Sequence, residues 1–199
     1  MLKSSLYTAT LTTGSLKPRE SRIVAGLLLD GVSNAAWKSA IEHQNVLQCR
    51  AAGSAVVLAR LLRARLECFD QPLWMMVRDG NKALATQALL VCAVKHSALL
   101  RDFMDLGLRD EYRMFRQTLS ASVWFSYLEG CRNRDPAMPD WSESTQNRLR
   151  STVFQILAQA GYLSDTSVRE IKSVSILPEL IAYLRARGEN PLIRCLQLP

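Results

Sequence analysis

Apolar residues recur with the period of an α-helix along almost the whole chain of 199 residues, and this pattern limits the fold more than any single motif does. Glycine and proline interrupt it often, so that each predicted helix is only about 10 to 20 residues long. The interruptions are Gly31, Gly53, Gly80, Gly107, the two prolines in 136–139, Gly161 and Gly188. The sequence therefore predicts an all-α, compact globular protein built from short helices.

The segment 168–176 departs from the helical pattern. Its sequence, VREIKSVSI, roughly alternates between apolar and polar residues and contains β-branched side chains, which favours an extended conformation. Pro178 follows in a position typical of the first turn of a helix, so the last helix is predicted to begin there. The pattern is compatible with one small β-ribbon near residues 168–176.

Two parts of the chain share a predicted order of short helix, turn and second helix, at 20–68 and 120–161, although no sequence repeat relates them. Each is predicted to form a helix-turn-helix-like unit, and the ribbon would lie where the wing of a winged unit does. The sequence then divides into a basic N-terminal part (1–69), a central helical packing region (70–117) and a C-terminal part (118–199). The three parts are expected to form one continuous globule.

Positive charge is concentrated in the N-terminal part. The formal net charge is +7, and residues 1–69 contribute +5 of it with nine basic and four acidic side chains. Four arginines, Arg50, Arg60, Arg63 and Arg65, lie between Glu42 and Glu67 without any intervening carboxylate. Because a guanidinium group can bind phosphate or a guanine edge with two hydrogen bonds, this stretch indicates contact with a polyanion. The alternative is a merely basic surface.

A helical projection of residues 54–68 separates these arginines. The apolar face contains Val57, Leu58, Leu61, Leu62 and Cys68, and the opposite face contains Arg60, Arg63 and Glu67. We expect Arg60 and Arg63 to contact phosphates, together with Arg50 and Ser54 near the start of the helix. The alternative is a solvated face on which Glu67 is the partner of the arginines.

Arg65 projects among the apolar positions of the same helix. It is therefore expected to have a structural role, in which its side chain either extends to solvent at the helix end or pairs with Asp30 or Glu42.

The helix predicted at 142–160 has a second candidate surface. Its apolar side contains Leu149, Val153, Ile156, Leu157 and Ala160, and its polar side contains Ser144, Arg148, Ser151, Thr152, Gln155 and Gln159, with Asn147 at the edge. One cation among many neutral hydrogen-bonding groups suits contacts to base edges and phosphates. The predicted DNA-binding residues here are Ser144, Asn147, Arg148, Ser151 and Gln155, with Lys172 on the wing.

Sequence motifs for catalysis, metal binding and cofactor binding are not found. His43 and His96 have no Cys, Asp or Glu at a metal-ligand spacing, and the chain contains no GxSxG, GxxxxGK[ST] or GxGxxG motif. The sequence therefore predicts a protein that is not an enzyme and holds no metal or cofactor. The four tryptophans, Trp37, Trp74, Trp124 and Trp141, are predicted to be core anchors.

Cysteine usage and hydropathy favour a cytoplasmic location. The five cysteines are scattered without a CxxC arrangement, which is typical of a reducing compartment. The longest apolar run, 83–94, is well short of the ~20 residues that a membrane span needs. Residues 1–18 lack an apolar core of signal-peptide length, so no export and no membrane association are expected.

Several short sequence stretches, in the same order along the chain, resemble the BrxA family of bacteriophage exclusion (BREX) systems. They are YTATLTTG at 7–14, ESRI at 20–23, LLDGVS at 28–33, LWMMVRDG at 73–80, ATQA at 85–88, KHS at 95–97, WSEST at 141–145 and AQAGYL at 158–163. The resemblance runs over most of the chain and implies a small, helical, soluble cytoplasmic protein that binds double-stranded DNA without catalysis of its own. It offers no catalytic motif to carry over.

The resemblance also implies partners. Systems of this kind protect bacteria by methylating host DNA and blocking foreign replication, so a methyltransferase, an ATPase and other proteins of the system are the implied partners. Two functions are compatible with the sequence: a DNA-binding accessory factor, or a protein-protein adaptor that organises the defence complex without touching DNA itself.

Overall fold

The computed structural model describes residues 5–198 and confirms the predicted all-α class. The α-helices are α1 (Pro18–Leu29), α2 (Asn34–Lys38), α3 (Ala52–Leu66), α4 (Gln71–Asp79), α5 (Lys82–His96), α6 (Ala98–Asp102), α7 (Arg109–Arg113), α8 (Ala121–Arg134), α9 (Glu143–Gln159), α10 (Pro178–Ala186) and α11 (Asn190–Leu196). A 3-10 turn (Thr10–Thr13) precedes α1, and π-helical turns extend α2 (Ser39–His43) and join α6 to α7 (Phe103–Leu108).

Local sequence signals end and begin several of these helices. The Ser33 hydroxyl caps α2 by accepting from the Ala36 amide at 3.2 Å, and the Ser142 hydroxyl caps α9 in the same way. Gly31 and Gly161 follow α1 and α9 at φ values of 60° and 87°. Glycine adopts this left-handed conformation without the steric cost that other residues meet, which explains why the helices end there.

Gly107 does not end a helix, contrary to its predicted role as an interruption. The helical backbone continues through it in the π-helical turn between α6 and α7. A Cβ atom at this position would lie 2.8 Å from Cε2 of Phe103, which is closer than van der Waals contact permits. The glycine is therefore required by packing against the Phe103 ring.

The predicted β-ribbon near residues 168–176 is reduced to isolated bridges. Within residues 5–198, Thr118 pairs with Glu170 and Leu163 pairs with Ile171, both antiparallel, and no named strand forms. Arg169 interrupts the extended run because its φ is 60°. The segment is thus held by single bridges to two different neighbours and cannot propagate a ladder with either.

The fold divides into two compact units. The α1–α5 unit is residues 16–96, and the α6–α11 unit combines 97–198 with the N-terminal segment 5–15. The α1–α5 unit contains eleven Lys and Arg residues against six Asp and Glu residues, so it holds +5 of the net charge of +7. The division at 69/70 and 117/118 stays a prediction, and residues 1–4 of its first part lie outside the described residues.

Helix α5 forms the centre of the α1–α5 unit. Every residue from Gln87 to Val94 is buried, which accounts for the apolar run in the sequence. Helix α1 packs on α4, where the Arg22 guanidinium donates to the carbonyl oxygens of Arg78 (2.7 Å) and Gly80 (2.6 Å). Among the described residues, no single helix combines the length and the apolar composition of a membrane span; α5 and the following helical segment reach them only when counted together.

An aromatic cluster forms the core of the α6–α11 unit. The Phe103 ring lies 5.1 Å from both Trp124 and Tyr127 in edge-to-face geometry, and 6.3 Å from the Phe154 ring. The Trp124 indole N–H also donates to the Gln146 carbonyl at 3.2 Å, which ties α8 to the first turns of α9. Trp124 is thus the core anchor that the sequence predicts.

Candidate nucleic-acid interface

Helix α3 presents an exposed cation without a carboxylate partner. Arg60 lies on the exposed side of the helix, and its guanidinium makes no ion pair or hydrogen bond within residues 5–198. Arg50 in the preceding connection and Ser54 in the first turn are exposed as well. These three of the predicted DNA-binding residues are therefore accessible on the α1–α5 unit, which carries most of the net positive charge.

Arg63 is engaged within the chain. Its Nε donates to Glu67 Oε1 at 2.7 Å, and its guanidinium carbon lies 4.7 Å from the centroid of the Trp37 ring. The predicted alternative, in which Glu67 is the partner, is thus present in the structure. Because the ion pair is solvent-exposed, it contributes only about 0–1 kcal/mol and does not fix Arg63 permanently.

The buried face of α3 is rotated slightly from the projected one. Val57, predicted on the apolar face, is 53% exposed, whereas Ala59, which the projection did not assign to that face, is 1% exposed. Ala59 and Arg65 are buried along with the leucines of α3, so the centre of the buried stripe lies nearer to Ala59 than to Val57. Trp37 is also only half-buried, so its predicted role as a core anchor does not describe its position.

Arg65 lies among the buried residues of α3, as the projection predicts, but its side chain does not extend to solvent. The residue is 3% exposed in the last turn of α3, and burial lowers its pKa to about 10. Pairing of Arg65 with Asp30 or Glu42 stays a prediction.

Helix α9 carries the exposed polar stripe that the sequence predicts, with one exception. Ser144, Arg148, Ser151 and Gln155 are exposed, and Asn147 at the edge is half-buried. Thr152, predicted on this side, is buried, and its hydroxyl donates to the Arg148 carbonyl at 3.0 Å. A threonine can be buried on a helix because its hydroxyl bonds back to the helix backbone.

Some members of this stripe are engaged by the chain itself. Arg148 Nε donates to the Thr12 carbonyl at 2.9 Å, where the 3-10 turn packs on α9. The Ser151 hydroxyl donates to the Asn147 carbonyl at 2.9 Å. The contact to Thr12 orients Arg148. Ser144 is exposed with its hydroxyl 3.1 Å from the Ser142 hydroxyl, and Gln155 is exposed as well.

The connection between α8 and α9 differs from a tight helix-turn-helix turn. It covers residues 135–142, and the corresponding connection before α3 covers 44–51, whereas a helix-turn-helix usually has about 3–4 residues there. Asp135 in this connection accepts hydrogen bonds from the Ser5 hydroxyl and the Leu6 amide, both at 2.8 Å. Helix-turn-helix character therefore stays a prediction for both units, as does the role of Lys172, whose Nζ lies 3.7 Å from Glu170.

The structure gives little support for other kinds of site. Among residues 5–198, no group of three or more His, Cys, Asp and Glu side chains could hold a metal ion. All five cysteines are free; Cys92, Cys131 and Cys195 are buried, and burial raises the pKa of Cys195 to about 12. A thiol with such a raised pKa is a poor nucleophile at neutral pH.

Phe115 has no special place in the sequence pattern, yet it is unusually exposed. It is 87% exposed at the end of α7, with a φ of 55°, next to Met114, which is 63% exposed. Phenylalanine rarely adopts this left-handed conformation, and a large apolar side chain gains nothing from full contact with water. No sequence signal distinguishes such a residue from a core phenylalanine, because its exposure depends on how the helix ends.

The chain is similar along most of its length to proteins of one family. The family model described as BrxA matches residues 5–188. A protein of Paramagnetospirillum magneticum named "BREX protein BrxA" is 50% identical over 192 residues, which are 96% of each chain. Another of the same name, from Escherichia coli O9:H4, is 29% identical over 94% of this chain and 88% of that protein. A crystal structure of an uncharacterized protein from Magnetospirillum magneticum has a TM-score of 0.90 and 49% identity, covering 97% of this chain and 99% of that one.

Proposed function

Because the chain belongs to the BrxA family of BREX phage-defence systems, we propose that it is a non-catalytic accessory protein that binds double-stranded DNA. It acts together with the host-DNA methylation machinery of the system. Its partners are duplex DNA and other proteins of the system, such as the methyltransferase or the ATPase.

The exposed and unpaired state of Arg60 is the observation that carries this proposal. Several other arginines each form an ion pair with a carboxylate of the same chain: Arg63, Arg78, Arg101, Arg109, Arg113 and Arg132. Arg60 and Arg50 are exposed without such a partner among the described residues. A guanidinium that is not neutralised internally is available to a phosphate, which offers it a bidentate contact.

The two candidate surfaces have different chemistry and therefore different roles. Arg50, Ser54 and Arg60 hold phosphates and supply affinity, with Arg63 as a further contact when it leaves Glu67. The α9 stripe, in which one cation stands among neutral donors and acceptors, contacts base edges and phosphates with less charge. Phosphate contacts dominate the affinity, and any sequence preference comes from the α9 stripe.

Binding of the protein to a short duplex should weaken steeply as salt is added. If Arg50, Arg60 and Arg63 each neutralise one phosphate, the slope of log K against log salt is about −2.7 from these contacts alone, at about −0.9 per phosphate. Fluorescence anisotropy across a salt series, with random and host-derived duplexes, measures it. A flat salt dependence, or no binding at low salt, contradicts the proposal.

The adaptor function is the second candidate, and the surface around Phe115 favours it. Leu106, in the π-helical turn before α7, and Met114 and Phe115, just after α7, are all exposed large apolar residues. A cleft of about 380 Å³, lined by Leu106, Met114 and the carboxylates Asp110 and Glu111 among others, lies in the same region. Exposed apolar clusters beside a cleft are typical of protein-binding sites, and here the acidic residues disfavour DNA.

Changing Phe115 to Asn separates the two functions. Asparagine tolerates the left-handed backbone, so the turn is kept while the apolar contact is lost. If this surface binds another protein of the system, co-purification with it should fall by about tenfold or more while duplex binding stays unchanged. Val168→Asn, which alters another exposed apolar residue in the same unit, is the control. Unchanged co-purification of the Phe115 variant removes this surface from the adaptor role.

A further inference from the structure

A cleft of about 300 Å³ lies between α2 with its π-helical turn and α3, within the α1–α5 unit. Its floor is apolar, since Ile41 is 2% exposed and Ala59 is 1% exposed. Trp37 and Val56 line its sides. The cleft therefore combines an aromatic wall with a buried apolar floor, and it lies next to the arginines that are proposed to contact phosphates.

The rim of this cleft is cationic. Lys38, Arg60 and Arg63 line it, with Glu42 as the only carboxylate among its described lining residues. Lys38 and Arg60 make no ion pair within residues 5–198. A ligand that fits must therefore be apolar and flat where it meets the floor and Trp37, and negatively charged where it meets the rim.

The planar guanidinium of Arg63 lies over the Trp37 ring, in the position that a planar group of a ligand would take. It lies 4.7 Å from the centroid of the indole ring, a distance typical of a cation–π contact. Nucleobases are planar groups that stack on the same kind of surface, and a phosphate follows each base along the strand. Both requirements of the cleft are thus met by a single nucleotide.

We propose that the cleft binds an unpaired nucleotide, whose base stacks on Trp37 in place of the Arg63 guanidinium while Lys38 and Arg60 hold the flanking phosphates. Glu42 accepts a hydrogen bond from an exocyclic amino group of the base, as acidic side chains do from cytosine. This inference rests on the proposed DNA binding and names the substrate more closely: DNA with a bulge, a gap or a single-stranded segment.

The displacement of Arg63 costs little. Its ion pair with Glu67 joins side chains that are 38% and 45% exposed, so water already screens it. Once released, the guanidinium lies next to the strand that enters the cleft and exchanges a carboxylate partner for a phosphate. A volume of about 300 Å³ is at the lower end for small-ligand sites, which suits one base rather than a base pair.

The test uses a short duplex with one unpaired 2-aminopurine and the same duplex without the bulge. The full-length protein should bind the bulged duplex about tenfold more tightly, and the 2-aminopurine fluorescence should fall as the base stacks. Trp37→Ala should bring the ratio of the two affinities to about one, whereas Trp37→Phe should keep a preference of several-fold because it retains a stacking surface. Val57→Ala, an exposed position of α3 outside the cleft, should leave the ratio unchanged.

Equal affinity of the unchanged protein for both duplexes overturns the inference, and so does a preference that survives in Trp37→Ala. If Trp37→Ala fails to fold, as seen by circular dichroism, Trp37→Phe and the unchanged protein decide the matter. Salt-dependent duplex binding without a preference for the bulge contradicts this inference alone. Absence of binding to either duplex contradicts the proposed function as well.

Discussion

Replacing Arg50 and Arg60 together by glutamate is expected to weaken duplex binding by on the order of 100-fold near 0.1 M salt. Each change removes a phosphate contact and places a carboxylate against the phosphate backbone. The salt dependence should become shallower by about 0.9 per lost contact. Anisotropy titrations of the unchanged and variant proteins on the same duplex measure both quantities.

A charge-matched variant is needed, because four charge units are lost in total. Arg116→Glu with Arg185→Glu makes the same change in net charge at exposed positions of the α6–α11 unit. If general attraction to the polyanion dominates, both double variants lose the same affinity, and the assignment of Arg50 and Arg60 is wrong. A loss confined to the first pair supports it.

Trp124→Ala is expected to have the largest effect on stability, about 3–5 kcal/mol in the free energy of unfolding of the α6–α11 unit. The side chain is fully buried against Phe103 and Tyr127, and its loss leaves a cavity that the surrounding rings cannot fill. Denaturant unfolding followed by circular dichroism measures the change.

Two further variants show whether packing or the hydrogen bond is responsible. Trp124→Phe keeps most of the ring packing but leaves the Gln146 carbonyl without the indole donor, which should cost about 1–3 kcal/mol. Val168→Ala changes a residue of the same unit that is 62% exposed and should stay within about 0.5 kcal/mol of the unchanged protein. If Trp124→Ala behaves like Val168→Ala, the aromatic cluster is not the core of the unit.

Helix boundaries were predictable because they depend on neighbouring residues. A serine whose hydroxyl reaches an amide three residues ahead, as Ser33 and Ser142 do, acts within one turn. The conformational freedom of Gly31 and Gly161 is likewise a property of a single residue. The same reasoning fails at Gly107, whose role comes from the Phe103 ring rather than from its own backbone.

The contacts made by the side chains of the candidate site were less predictable, because several of them join segments that are distant in the sequence. Arg148 and Thr12 are far apart in the sequence, and no local pattern indicates that the guanidinium reaches that carbonyl. Arg63 and Glu67 are one helical turn apart, so their pairing could be foreseen, but the Trp37 ring beside them could not. Exposure of Arg60 was correctly predicted because the leucines around it fix the orientation of α3.

Each unit contains at least one buried free cysteine, and the rates of chemical labelling of these cysteines can be measured separately. Cys92 is buried in the α1–α5 unit, and Cys131 and Cys195 are buried in the α6–α11 unit. Burial raises the pKa of each of these thiols, so an alkylating reagent reaches a reactive thiolate only when the surrounding structure opens. The rate at which each thiol is labelled therefore reports the local unfolding of its unit, and the effect of DNA on one unit can be followed separately from the other.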